Sequence, residues 1–235
     1  MPKHIGIVGV SPEGSSICYR MVGKRASEVS NPEQRPTISL HNLPFSSYVD
    51  ALRVDDWQRV ADMLRQSAGT LAQAGADFCI LPDNVTHHAL PMASASSPIP
   101  WLNMIEIAAD AIVANGCQHV GLIGTKWVVR GSTYQTLLGI RGVKLHLPSE
   151  EDAETIDRII FDEAIYGRVR DQSLGDVTSV IEHLAEKGCE AVVLGASEAG
   201  MMLRHERMPL PIFDPLELLA SAAVHHALAE ASVAS

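Results

Sequence analysis

The chain has 235 residues, 46% hydrophobic and 20% charged, and its 18 basic against 28 acidic side chains give a formal net charge of −10. That length builds one large domain or two small ones. The acidic balance argues against the basic patches that nucleic acid and anionic membranes require, so neither is expected as a partner. No apolar run approaches the roughly 18 residues of a membrane span, and Pro2-Lys3-His4 leads straight into a strand pattern, which together predict a cytoplasmic protein. Cys18, Cys79, Cys117 and Cys189 show no CxxC spacing and read as reduced, mostly buried thiols.

Taken in order, the first apolar run is Ile5–Gly9, a buried parallel strand by its continuity, followed by Ser11-Pro12-Glu13. Trp57, Val60, Ala61, Leu64, Ala68, Leu71 and Ala72 fall at helical spacing and end near Gly75, as a helix C-terminus does. A second strand, Phe78–Leu81, precedes Asp83. Pro91 to Pro100, rich in Ala and Ser, reads as a linker. A third strand, His119–Ile123, precedes Thr125. Glu150-Glu151-Asp152 reads as the acidic first turn of a helix. Val177, Val180, Ile181 and Leu184 mark another helix, ending before Gly188. The strand Ala191–Leu194 then leads to Ala196. The last segment, Leu216–Val233, is helical and rich in Ala and Leu, with His225-His226 on a solvated face.

These segments repeat. His4-Ile-Gly-Ile-Val-Gly9 echoes His119-Val-Gly-Leu-Ile-Gly124, an offset of 115 residues (119 against 4). Gly75–Asp83 echoes Gly188–Ala196, an offset of 113 (196 against 83), and Pro98–Glu106 echoes Pro209–Glu217, an offset of 111 (217 against 106). The period is too long for a solenoid, whose units run about 20–50 residues. Strand–helix alternation within each copy predicts an α/β protein of two pseudo-symmetric Rossmann-like domains, each a parallel sheet flanked by helices. The expected boundaries are residues 1–97, with the helix 216–235 packing back on them, and residues 98–215. Ligands of such sheets bind beyond the C-terminal strand ends, where Ser11, Asp83, Thr125 and Ala196 fall. The active site is therefore expected in the cleft between the domains.

With these residues placed, the chain resembles the aspartate/glutamate racemase family, the pyridoxal-independent amino-acid racemases. Ile5-Gly-Ile-Val-Gly-Val-Ser11-Pro-Glu13 looks like the family's opening strand and loop, one residue shorter than its double-glycine form. Leu81-Pro-Asp83-Asn84-Val85-Thr86-His87 resembles the first active-site loop, and Leu122-Ile-Gly124-Thr125-Lys126 the Gly-Thr loop of the second domain. Ile159-Ile-Phe-Asp162-Glu163, then Gly167, is similar to the mid-domain helix. Leu194-Gly195-Ala196-Ser197-Glu198 resembles the second active-site loop. No His-x-x-x-His spacing or Cys cluster points to a metal, and the resemblance implies no cofactor, a homodimer and a small amino or carboxylic acid as ligand. It also implies proton transfer at Cα between two acid/base groups, commonly cysteines. Here Asp83 and Ala196 stand at the two cysteine positions, while Cys79 lies four residues before the first and Cys189 seven before the second.

Ala196 has no ionisable group, which leaves Asp83 as the single acid/base of the site. A free Asp titrates near pH 3.9, too low for a strong carbon base, so burial would have to raise it. The resemblance places Ser11, Asn84, Val85, Thr86, Thr125, Ala196 and Ser197 against the ligand, with His87 and Glu198 supporting their loops. Five of these positions have a blander alternative. Asp83 caps a helix beginning at Val85-Thr86, Asn84 closes a turn, and Ser11, Thr125 and Ser197 cap helices. Arg168 and Arg170 either bind a distal carboxylate or form a solvated loop. A decarboxylase, lyase or hydrolase on the same scaffold, or a carboxylate-binding protein without catalysis, fits the Asp83/Ala196 pair as well.

Overall fold

The computed structural model describes residues 1–203 and 208–229. In chain order the elements are β1 (Ile5–Gly9), α1 (Pro12–Ser27), β2 (Ile38–Asn42), α2 (Phe45–Arg53), α3 (Trp57–Gln73), β3 (Phe78–Ile80), α4 (Leu90–Ser94), β4 (Trp101–Leu102), α5 (Met104–Ala114), β5 (His119–Gly124), α6 (Lys126–Arg130), α7 (Thr133–Gly139), β6 (Lys144–His146), α8 (Glu150–Asp162), α9 (Asp171–Glu186), β7 (Ala191–Gly195), β8 (Ile212–Phe213) and α10 (Pro215–Leu228). They form two four-stranded sheets, ordered β2-β1-β3-β4 and β6-β5-β7-β8, with every pairing parallel. This is the α/β architecture of paired parallel sheets flanked by helices that the strand–helix alternation predicts.

The chain divides into two compact units, one formed by Met1–Met104 with the segment from Leu216, the other by Ile105–Pro215. The first reaches Met104 because β4 pairs with β3, Cys79 opposite Trp101. Pro91–Pro100 is therefore not a bare linker: it contains most of α4 and leads into the edge strand of the first sheet. The segment α10 completes the same unit. The Lys3 N–H donates to the Ala227 carbonyl at 2.9 Å, Arg25 reaches Glu217 at 2.8 Å, and Leu219, Ala220 and Ala223 are fully buried. His225 is exposed, but His226 is not on a solvated face: its ring stands edge-on to Phe78, centroids 4.7 Å apart. Residues 230–233 of the expected helix lie outside the described residues.

The repeat is visible in hydrogen bonds as well as strands. In the first unit the Asp77 carboxylate accepts the His4 N–H at 2.6 Å, and the Asp77 N–H donates to the His4 carbonyl. In the second, Glu190 accepts the Gln118 and His119 N–H groups at 2.6 and 2.8 Å, and its own N–H donates to the His119 carbonyl. Each central strand pair is thus clasped at its start by an acid preceding the second strand. The next loops repeat too. Ser11 Oγ accepts the Gly14 N–H at 3.0 Å, capping α1 with Pro12 at its first position, and Thr125 Oγ1 accepts the Val128 N–H at 3.4 Å, capping α6. Ser149 caps α8 ahead of Glu150, Glu151 and Asp152, the expected acidic first turn.

The core of the second unit gathers Ile123, Ile156, Ile159, Val177, Ile181 and Leu194, all at 1% exposure or less. Close packing sets where glycine is required. A Cβ on Gly124 would stand 2.6 Å from the Gly195 carbonyl oxygen, at the register where Gly124 pairs with Gly195. No larger residue fits without separating β5 from β7.

Candidate active site

In the first unit Asp83 follows β3 by three residues and is half-buried. Thr86 donates its backbone N–H and its hydroxyl to Asp83 Oδ1, both at 2.8 Å. The carboxyl thus binds the first N–H of the short 3-10 turn Thr86–Ala89, next to the helix start expected at Val85-Thr86. Desolvation pushes its pKa above the ordinary carboxylate range, opposed by the two Thr86 bonds and the Val85 amide. A raised carboxyl serves both proton-transfer roles better than a free one: it is a stronger base when ionised and holds a returnable proton when neutral.

His87 supports this loop. Its Nε2 accepts the Met104 N–H at 3.2 Å, which fixes Nδ1 as the protonated nitrogen, and Nδ1–H donates to the Asp83 carbonyl at 2.6 Å. Both ring nitrogens are occupied, the residue is 2% exposed, and burial lowers its pKa to about 4. His87 is a neutral strut between the Asp83 backbone and the start of α5, with no lone pair left for acid/base work.

The remaining loop residues of this unit converge on the same edge. Asn84 and Thr86 are buried, and Val85 is half-buried. Ser11 is buried at the N-terminus of the sixteen-residue α1, where backbone N–H groups and the helix dipole favour an anion. Ser15 donates to the Ser11 carbonyl at 2.6 Å. Beside it lies a groove lined by Pro12, Ser15, Ser16, Asn42, Leu43 and Phe45. Asn42 is a loop-shaping residue the sequence pattern missed. Its amide Nδ2 donates to the carbonyls of Val10 and Leu43 at 3.0 and 3.1 Å, tying the loop after β1 to the loop after β2. A Cβ on Gly9, its register partner, would overlap Asn42 Oδ1. The signal for Asn42 lies in β2, whose mixed Ile-Ser-Leu-His-Asn pattern hides the strand.

In the second unit Thr125, Ala196, Ser197 and Glu198 are all buried past the ends of β5 and β7. Ala196 joins the hydrophobic core of that unit. Arg170 is committed elsewhere: its backbone N–H, Nε and Nη2 all bind the Glu163 carboxylate, the backbone N–H and Nε each at 2.8 Å, and Ser173 adds a fourth donor at 2.8 Å. These bonds, Arg170's first, hold Glu163 at a pKa of about 2. Arg170 is therefore a staple of the α8–α9 connection, and Arg168 is exposed. The thiols sit away from ionisation: desolvation pushes Cys18 and Cys79 up to about 12 and raises Cys189 as well, so none supplies a thiolate at neutral pH. Among the described residues no group of three His, Cys, Asp or Glu side chains is placed to hold a metal ion, and no helix is long and apolar enough to cross a membrane.

Two parallel sheets flanked by helices, with capped loops carrying polar side chains beyond their strand ends, define the class: a repeated α/β protein. The chain belongs to the Asp/Glu/Hydantoin racemase family, which it matches over residues 7–223. It is similar to the crystal structure of a Yersinia pestis protein assigned to the Asp/Glu racemases, at 26% identity and a TM-score of 0.86, over 96% of this chain and 99% of the other. An aspartate racemase homologue from Pyrococcus horikoshii superposes with a TM-score of 0.82 at 23% identity, over 96% and 99% of the two chains. Glutamate racemase from Francisella tularensis, solved with D-glutamate, shares the fold at 14% identity and a TM-score of 0.69, over 100% and 84%.

Proposed function

We propose that this protein is a cofactor-independent proton-transfer enzyme, an isomerase acting at the Cα of a small amino or carboxylic acid, with Asp83 as its single acid/base. The observation that carries the reading is the Asp83 carboxyl, raised by desolvation on the loop where the family resemblance places an acid/base group. Family membership supports the reaction class. The α1 N-terminus with Ser11, together with Asn84, Val85 and Thr86, forms the carboxylate cradle of the first unit, and Thr125, Ala196 and Ser197 supply the ligand loops of the second. In the step itself, the Asp83 carboxylate takes the Cα proton, the bonding pair delocalises into the ligand carboxyl as an enolate, and the new carboxylic acid returns a proton to carbon. N–H groups and hydroxyls around the ligand carboxyl stabilise the developing charge.

One base that returns its proton to the face it left exchanges hydrogen without inversion, so racemisation requires a second donor, a water on the far face. The test is proton NMR in heavy water over a panel of L- and D-amino acids and small dicarboxylates. Wild type is expected to wash out a Cα–H signal, and Asp83→Asn to slow that loss by about 100- to 10,000-fold. Full exchange in Asp83→Asn would sink the assignment. A second reading, a carboxylate-binding protein without catalysis, is favoured by the use of Asp83 Oδ1 in binding Thr86 and by the side chain of Ala196, which cannot ionise. It predicts no exchange with any ligand, but a ligand-dependent rise in unfolding temperature. A carbon dioxide, ammonia or hydrolysis product from the same panel would instead identify a decarboxylase, lyase or hydrolase.

A further inference from the structure

The two units share one cross-strand contact whose chemistry differs between them. In the first, His4, just before β1, meets a hydroxyl of β2, Nε2 to Ser39 Oγ at 2.8 Å. Ser39 stands opposite Gly6 in the register. The second unit repeats the geometry with another partner. His119, the first residue of β5, reaches across to β6, where His146 stands opposite Gly121. His119 Nδ1 and His146 Nε2 are 3.0 Å apart, and the ring centroids 5.2 Å. Gly6 and Gly121 hold the same place in the repeat, 115 residues apart (121 against 6), so Ser39 and His146 are equivalents. The two bonds respond to acid differently. A serine hydroxyl donates to a neutral ring and accepts from a protonated one, so the His4–Ser39 contact survives protonation. Two imidazoles share a hydrogen bond only while one facing nitrogen keeps its lone pair, and two charged rings repel.

The surroundings sharpen this difference. Lys144 of β6 stands opposite His119 in the register. Lys187, after the end of α9, donates to the Leu147 carbonyl, next to His146, at 3.2 Å. Glu190, the acid beside His119, is already committed to the Gln118 and His119 N–H groups. The helix α7, which packs on β6, has no charged residue between Thr133 and Gly139, and its Tyr134 is buried with the Asp214 charge acting on the phenol. Desolvation first, then the charges of Lys144, His119 and Lys187, lower the His146 pKa below the 6.5 of a free histidine. A lowered folded value means stability that is fully present above pH 6.5 and lost as the pH falls through the folded value. We propose that the His119–His146 pair is an acid-sensitive latch: it holds the edge strand β6 to β5 while one ring is neutral, and releases it when both rings carry a proton. Only three residue pairs join β6 to the sheet, all on one side. β6 runs directly into Leu147, Pro148 and Ser149, which line a groove with Lys126 and Arg130 past the end of β5, so release loosens one wall of that groove.

Strand-resolved amide exchange on the full chain, corrected for its intrinsic pH dependence, tests the latch. Between pH 7.5 and pH 5, protection along β6 (Lys144–His146) is expected to fall at least about tenfold further than along β7 (Ala191–Gly195) of the same sheet. His146→Ser places the first unit's contact in the second and is expected to make the two strands fall together. An equal fall in wild type overturns the latch, and so does an undiminished difference in folded His146→Ser. If that variant folds poorly, the wild-type rings decide. Nitrogen-15 NMR of the imidazoles is expected to show a His146 midpoint below 6.5, moving upward in His119→Gln as the neighbouring charge is removed. A His146 midpoint at or above 6.5 overturns the latch equally. Acid loss of the His87 strut acts on the first unit and does not imitate a release confined to β6.

Discussion

At the scale of single residues, His87 shows how a group that looks catalytic is turned to support. Its two hydrogen bonds, one in each direction, need the neutral ring, and burial holds its pKa near 4, below the 6.5 of an unfolded histidine. Between those values the unfolded chain binds the proton more tightly than the folded one. His87 therefore contributes stability that is fully present above pH 6.5 and is lost as the pH falls toward 4, to a limit of about 3 kcal/mol. Asp83 acts in the opposite sense: its raised pKa gives stability present below the unfolded value and lost as the pH rises through the folded one. The difference between wild type and His87→Gln isolates the histidine. Urea unfolding is expected to show the variant weaker by about 1–3 kcal/mol at pH 7.5, with the gap closing steadily toward pH 4. A constant gap across that range would show that the neutral ring is not the basis of the strut.

Among the elements, position in the sheet decides what packing demands of each strand. β1 and β3 are central in one sheet, β5 and β7 in the other, and their residues are buried almost without exception. These four strands were legible as continuous apolar runs because both of their faces are covered. The edge strands β2, β4, β6 and β8 were not. They are short or half-exposed, with compositions such as Lys-Leu-His in β6, so no run betrays them. The site divides the same way. Asp83 and its Thr86 partner lie three residues apart and were readable locally, whereas the Asn42 bond to Val10 and the His87 bond to Met104 join distant segments that no local pattern connects. The central pairing also makes a graded prediction. Gly124→Ala forces a methyl to within 2.6 Å of a backbone oxygen and is expected to destabilise by at least about 1–3 kcal/mol. Gly23→Ala, within α1 and with nothing within 4 Å of the new methyl, is expected to stabilise by roughly 0.5–1 kcal/mol. Denaturant midpoints of the two variants check both signs.

Over the whole molecule, the first unit is discontinuous in sequence. Its last helix, α10, arrives only after the second unit is complete, yet buries Leu216 and Leu219 to 1% exposure or less. Losing two such side chains costs about 2–5 kcal/mol each, comparable with the whole stability of a small domain. A chain ending at Pro215 is therefore expected to lose amide protection across β1–β4 while keeping it across β5 and β7. Hydrogen exchange read strand by strand measures this, and retained protection in β1 would show that α10 is dispensable to its unit.

The hydrogen bond from Lys3 to Ala227 also sets an order of events during synthesis. Residues near the start of the chain leave the ribosome first but find their covering helix last. The second unit has every one of its strands in hand while the first still exposes the apolar surface that α10 will cover. The nascent protein thus spends the making of more than a hundred residues, from Ile105 to Pro215, with its first-made half open, and that interval is where a chaperone or a wrong partner would meet it.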